Sequence, residues 1–445
     1  MFSIFANAWK IHDLRKKILF TIFIIIIFRL GSHIFVPFIT PGAMAGMLGG
    51  DGTLMEYFNS ITGGALGKGT LFAMSITPYI NASIITQLLT VAIPALERMQ
   101  KEGEEGQKKI NKIVKSLALG IGVFQSTAFY FALSNMPGAE GSGMTSAVTH
   151  TTGFAGAVAM VTIIGCFTAG ASLIIWLGEQ ITDRGIGNGI SMILFAGIIS
   201  GVPDEIYGLF RQMTTASWQG AVFVPLILLI YIAMIAFVVL MTNAERRIPV
   251  QYAKRQVGRK MYGGQSSHIP IKVAMSGVMP IIFAMSIMSL PQTILHFFGI
   301  SHMTAGFWGN FLRAFNSTTW IYAFFYFLLI IGFNYFYVAV QYNPVEIANN
   351  LKKNNGAIPG YRPGKPTSDF IHNSLSKITF IGAIFLGIVA VFPIAFSNIT
   401  ALTGQRIAGL SLGGTTVLIV VGVALETMRT LESQMMMRHH KGFLE

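Results

Sequence analysis

The sequence predicts an all-α membrane protein of ten transmembrane helices, arranged as two inverted halves of five helices. Three observations carry this prediction. Of 445 residues, 53% are hydrophobic and only 11% are charged, whereas soluble domains carry about 25% charged residues. Ten apolar runs approach the roughly 20 residues needed to cross a bilayer core. The basic residues fall in alternate loops between those runs, the pattern of cytoplasmic loops in membrane proteins.

The runs cover 18–36, 70–93, 113–133, 154–177, 190–202, 221–241, 271–291, 319–340, 375–393 and 411–428, the fifth being the shortest. Arg29 lies inside the first run, and Lys68, Arg211, Arg313 and Arg406 lie in the intervening loops. Every other Lys and Arg lies in 1–17, 95–112, 178–189, 242–270, 342–373, after 428, or at a helix end bordering these segments. This alternation places both termini in the cytoplasm. The net charge of +13 is therefore mostly a topology signal. The first run is long for a signal-peptide core and Arg29 interrupts it, so it remains as a span. Cys166, the single cysteine, forms no intramolecular disulfide and reads as a small apolar filler in the fourth run.

The chain divides into a cytoplasmic segment 1–17, a first half 18–202, an external connection 203–220, a second half 221–428 and a cytoplasmic tail 429–445. An odd number of spans per half inverts the second half relative to the first, and a substrate path then lies between the halves. Pro78 interrupts the second run and Pro280 the seventh, and both are expected to kink their helices.

The second run also carries Thr77, Asn81, Ser83, Thr86 and Gln87. That many hydrogen-bonding side chains do not face lipid. They either pack helices together or line a cavity, and their clustering with Pro78 favours a pore wall. Before this run, 53–65 has room for a short helix between glycine-rich flanks. About thirteen residues at roughly 1.5 Å each reach about 20 Å, short of a span. Such a helix lies at the interface or folds back into the protein as a stopper. The adjoining GGALGKGT lacks the Gly and Ser/Thr positions of a phosphate-binding loop.

Two loops on the basic side are long. In 243–270, Val250-Gln251-Tyr252 is strand-like and Gly263-Gly264 marks a turn. In 343–370, Pro, Gly and Asn predict an ordered loop or docking arm. Such loops meet anionic lipid or a large partner such as RNA or a soluble protein. The span interiors are nearly free of acids, which disfavours an ion-coupled transporter. No nucleophile motif or metal-spaced set suggests an enzyme. A channel remains, with a small-solute secondary transporter as the alternative.

Four segments resemble the SecY family of protein-translocation channels. Thr77-Pro78-Tyr79-Ile80-Asn81-Ala82-Ser83-Ile84-Ile85, followed by Gln87-Leu88-Leu89, resembles its second-helix signature. LGEQITDRGIGNGIS at 177–191 resembles the signature before its fifth helix. Glu245-Arg246-Arg247-Ile248-Pro249 and Pro359-Gly360-Tyr361-Arg362-Pro363-Gly364 are similar to its two large cytoplasmic loops.

The resemblance implies a passive channel without cofactors, metal or bond chemistry. It conducts unfolded polypeptide outward and releases apolar helices sideways into lipid. It implies a re-entrant plug at about 53–66 with Tyr57, Phe58 and Asn59. It implies an apolar pore ring of Ile76, Ile80, Ile190, Leu194, Ile282 and Ile419, in which Leu194 stands where the family has Ile. Such a collar dewets and resists ions without gripping a polypeptide. A lateral gate is implied between the second and seventh helices. Thr77, Asn81, Ser83, Thr86 and Gln87 would tighten it through interhelical hydrogen bonds, with Gln125 and Ser286 alongside. Arg246, Arg247, Lys254, Arg255 and Arg362 would dock the ribosome or the SecA motor ATPase. SecE, SecG, signal peptides, nascent chains and membrane lipids complete the implied partners, and the bacterial plasma membrane is the implied location. On the second helix Ile80 faces the collar, and Phe72 is expected to face outward.

Overall fold

The computed structural model describes residues 2–40, 59, 61–134, 147–150, 153–215, 218–252, 255–257, 260–262, 266–297, 319–402 and 414–441. Each expected apolar run carries a helix. After α1 (Phe2–Lys10) come α2 (His12–Gly31), the short α3 (Ala65–Lys68), α4 (Thr77–Ala92), α5 (Pro94–Lys101), α6 (Glu104–Ser134), α7 (Gly153–Arg184) and α8 (Gly189–Thr215). The second half holds α9 (Trp218–Asn243), α10 (Met279–Phe297), α11 (Trp320–Gln341), α12 (Pro344–Lys353), α13 (Lys365–Leu402) and α14 (Gly414–Lys441). Among the described residues, six helices are long and apolar enough to cross a membrane, or seven if α4 and α5, bent by 102°, count as one. The bend falls at Ile93, which is extended at φ −109° and ψ 112° before Pro94, as the proline ring demands of its predecessor.

Three expectations need correction. Pro78 and Pro280 do not kink helices. Pro78 stands in the first turn of α4 and Pro280 is the second residue of α10, where the missing N–H costs nothing and the fixed φ is already helical. The preceding residues, 71–76 and 273–278, are turns. The connection expected at 203–220 is helical through Thr215, with Pro203 inside α8. Composition marks where hydrocarbon ends, and the helix continues beyond it. Finally, the chain is not wholly α-helical. β1 (Glu245–Tyr252) pairs antiparallel with β4 (Ser266–Lys272), Glu245 opposite Lys272, and with β5 (Gly356–Ala357), Gln251 opposite Ala357. β2 (Arg255–Val257) and β3 (Lys260–Tyr262) form a separate hairpin.

The two turns are built alike. Leu71, Ser75, Pro78 and Ile80 have the same mutual spacing as Val273, Gly277, Pro280 and Ile282. Ser75 and Gly277 are both left-handed, at φ 47° and 60°. The Leu71 carbonyl presses on Gly170 of α7, where a Cβ would lie 2.0 Å from the oxygen. The Val273 carbonyl presses on Gly382 of α13, where the corresponding distance is 2.4 Å. Each half thus starts its second helix from a turn wedged against a glycine.

Each half also has its own core. Tyr130, Leu133, Ile163 and Phe167 anchor the first, and Ile281, Tyr322, Tyr326 and Phe385 anchor the second. A third apolar cluster joins α2, the turn before α4, α7, α8, α10 and α14. Outward faces remain apolar: Val161, Ile232 and Phe324 are all exposed, as a lipid-facing surface requires. At one end, Ala8, Leu14, Ile186 and Leu431 pack together, and Lys17 Nζ donates to Gln434 Oε1 at 3.4 Å. Arg429 donates to Asn243 at 2.8 Å at the same end of α14. Both ends of the chain and the basic loops are therefore gathered on one side.

Candidate functional site

The six residues expected in the collar lie in the central cluster. Ile76, Leu194 and Ile419 are buried, and Ile80, Ile190 and Ile282 pack against them. Five of them line a cavity of only about 30 Å³, together with Ile61, Ser75, Thr77, Met285 and Ser286. That is room for about one or two waters. Ile190 shares the cluster but leans on α7, its Cγ1 3.1 Å from the position of a Cβ on Gly178.

One helical turn toward the basic side, the space opens. Ser191, Val278 and Val423, each three or four residues from Leu194, Ile282 and Ile419, line a cavity of about 600 Å³. Lys272, Tyr337, Glu426 and Arg429 stand around it. The arrangement is a funnel with a polar mouth and an apolar throat. Water leaves an apolar throat this narrow, and an ion entering it loses hydration with no ligand in return. Among the described residues, no cluster of His, Cys, Asp and Glu could hold a metal.

Of the 53–66 segment, residues 59 and 61–66 are described, and Ile61 lines the small cavity. Tyr57 and Phe58 lie outside the described residues, whereas Asn59 is half-buried. Its carbonyl accepts from Gly64 N and from Thr62 Oγ1, both at 2.9 Å, and its Oδ1 accepts from Gly67 N at 2.7 Å. Asn59 thereby folds the exit of the segment into a tight reversal that carries Ile61 to the cavity. The Ile61 carbonyl rests on Gly197 of α8, where a Cβ would lie 2.2 Å away. Arg29 Nη1 donates to the Gly63 carbonyl at 3.4 Å. Sequence reasoning missed Ile61 and Gly197. The lone charge at Arg29 was a signal without a partner, because its acceptor is a backbone carbonyl.

The residues expected at the gate divide. Thr77 and Ser286 line the central cavity. Asn81 is buried, and Ser83 and Gln87 are half-buried. Thr86 donates to its own helix at Ala82 O, 2.8 Å. Gln125 Oε1 is buried with no hydrogen-bond partner among the described residues. Among the described residues, no hydrogen bond joins α4 to α10. Short hydroxyls find their own i−4 carbonyls first, and Ile80, Ile282 and Met285 close the seam with apolar contact. Phe72 is also misjudged by the sequence: it is 2% exposed and stacked on Phe28, with ring centroids 5.7 Å apart.

Arg246 and Arg247 are exposed on β1, and Arg362 is exposed in the turn before α13. Lys254 lies outside the described residues. Arg255 begins β2.

A family model described as SecY matches residues 70–428. The chain belongs to the SecY family. The protein translocase subunit SecY of Streptomyces coelicolor is 41% identical over 450 residues, covering 100% of both chains. A solved protein-conducting channel matches with TM-score 0.63 and 18% identity, over 95% of this chain and 92% of that one. Canine Sec61, solved in a ribosome–channel complex from the endoplasmic reticulum, matches with TM-score 0.59 and 17% identity, over 95% and 92%. At these identities the two structures speak for the SecY-family fold.

Proposed function

We propose that this chain is the pore-forming subunit of a protein translocation channel. The observation that carries the reading is the funnel, which narrows from about 600 Å³ to about 30 Å³ at an apolar throat. An unfolded polypeptide has no fixed chemistry to recognise, so its path must seal without binding, and branched aliphatic side chains do this. Ile76, Ile80, Ile190, Leu194, Ile282 and Ile419 form the collar. The 53–66 segment is the plug, held at its exit by Asn59 and reaching the collar through Ile61. The α4–α10 seam is the lateral gate through which an apolar signal helix leaves for lipid, with Thr77, Asn81, Ser83, Thr86, Gln87, Gln125 and Ser286 around it.

Ten spans in two inverted halves fit the helices over all ten runs and the paired turns. The basic side faces the cytoplasm of a bacterial cell and carries both termini, and the membrane is the plasma membrane. Translocation is passive and is driven by the ribosome or by SecA, which dock on Arg246, Arg247, Lys254, Arg255 and Arg362. The ribosome-bound canine relative supports the first of these partners. SecE and SecG are the expected membrane partners.

Photo-crosslinking tests the path. A probe at Ile80, with a stalled secretory chain in membrane vesicles, gives strong crosslinks that depend on chain length. The same probe at Leu89, 38% exposed on the same helix, gives none. Equal labelling, or labelling at neither position while a small solute accumulates, would put a solute transporter in place of the channel.

A further inference from the structure

Asn334 is 2% exposed in the middle of α11, among aliphatic and aromatic neighbours. A buried amide in such a place is costly unless its groups are paired. Its Oδ1 accepts from Ser276 Oγ, and its Nδ2 donates to the Thr379 carbonyl of α13 at 2.8 Å. Ser276 lies in the 273–278 turn that launches α10. Val273, at the start of the same turn, is wedged on Gly382, less than one helical turn beyond Thr379. The turn is therefore held at both ends, by a carbonyl on a glycine and by a hydroxyl on the amide. The equivalent turn before α4 is held differently. Met74 stands where the second half has Ser276, and its Sδ accepts from Ser126 Oγ at 3.1 Å. A thioether is a weak acceptor on a flexible chain.

We propose that Ser276 and Asn334 form a latch that fixes the start of α10, and with it the positions of Ile282 in the throat and Ser286 at the seam. The inference rests on the channel reading above. Asn334 acts through α10, so it is a positioning residue. Ile282 follows Ser276 by less than two helical turns, and a throat of about 30 Å³ tolerates little displacement of one wall. Without the latch, α10 samples positions in which the throat is open. The resting channel then leaks ions and accepts substrates whose signal sequences are too weak to open an intact gate.

The test uses the full channel complex in planar bilayers and vesicles. It measures resting ion conductance, and the translocation of a substrate with a crippled signal sequence relative to the intact one. Ser276→Ala raises both about threefold, the shift that one interhelical hydrogen bond commonly supplies. Asn334→Ala, which removes two such bonds, raises both about tenfold. Ser276→Thr keeps the hydroxyl and stays near the parent. If Asn334→Ala fails to accumulate, Ser276→Ala carries the test, because it leaves the bond to Thr379 in place. Ile282→Gly serves as the reference, since it opens the throat directly. Parent-like conductance and discrimination in Ser276→Ala, alongside a leaking Ile282→Gly, would overturn the latch and leave the channel reading standing. A tight Ile282→Gly, together with absent crosslinks at Ile80, would overturn both.

Discussion

Arg247 Nε donates to Glu245 Oε1 at 2.7 Å across two residues of β1. The hydrogen bond from Arg247 holds the Glu245 carboxyl below its ordinary range, with the nearby positive charges of Arg247, His268 and Lys272 assisting. A lowered carboxylate stays ionised at neutral pH, and its pairing weakens only as pH falls through the lowered value. At working pH, Glu245 therefore occupies one of the arginines proposed to dock partners. Exposed pairs of this kind add little to stability, so their consequence lies in binding. Glu245→Gln frees the Arg247 guanidinium for phosphate. Ribosome affinity is expected to rise at low salt, and the slope of log affinity against log salt to steepen by about 0.7–0.9. Arg247→Glu moves both the other way. Sedimentation binding of ribosomes over a salt series measures this, and an unchanged slope in both variants would remove Arg247 from the RNA-facing set. The arginine was legible in the sequence motif. Its engagement was not: residues two apart on a strand share a face, but the sequence marks only Val250-Gln251-Tyr252 as strand-like, which left Glu245 and Arg247 without a strand to pair on.

The helices that meet at the throat owe their positions to the turns before them. A left-handed residue stops regular structure, a proline restarts it, and the freed carbonyl is pressed onto a glycine. The glycines should therefore be intolerant of substitution in a position-specific way. Gly170→Ala places a methyl 2.0 Å from the Leu71 carbonyl oxygen, and Gly382→Ala places one 2.4 Å from that of Val273. Backbone must move in both, at a cost of about 1–3 kcal/mol. Gly165, on the same helix as Gly170, has open space around its Cβ position. Gly165→Ala should be neutral or stabilising, by up to about 1 kcal/mol from helix propensity. Thermal denaturation of the purified complex separates the three, and equal losses would mean that helix packing in general, rather than the wedged turn, sets the cost. Hydropathy found the helices over the ten apolar runs, missed α1, α5 and α12 outside them, and misplaced the starts of α4 and α10. Residues 71–76 and 273–278 are as apolar as the helices they precede, and only packing on α7 and α13 reveals that they are not helical. The sheet was legible in one strand piece, 250–252. β4 was not, because its partner lies across the loop and period-2 alternation is short on both sides.

The two halves keep separate cores, and the central cluster joins them around the throat. On the proposed channel reading, an arriving apolar helix parts these contacts without unfolding either half. The residues proposed for the throat came from the family resemblance, and the i, i+4 spacing of Ile190 and Leu194 agrees with one helical face. Ile61 was not legible, because its place depends on the reversal that Asn59 builds. Charge gives the assembly its direction. Ion-paired Lys115 and Glu179, the packed chain ends and the arginine-bearing sheet share one end, and moving such a set across a bilayer is prohibitive. α7 spans the two sides, and its 32 residues reach about 48 Å at roughly 1.5 Å per residue, beyond the thickness of a hydrocarbon core. Phe154 at its start is 87% exposed, and Asp183 near its end is exposed beside the basic loops. With Cys166 replaced by Ala, a membrane-impermeant maleimide added to intact cells should label Phe154→Cys. Asp183→Cys should label only after the membrane is opened. Labelling of both from one side would mean that α7 does not cross, which breaks the alternation of every later helix. Labelling with the sides exchanged would keep the fold and reverse its direction, placing the wide mouth of the funnel outside, where neither a ribosome nor a cytosolic motor could feed it.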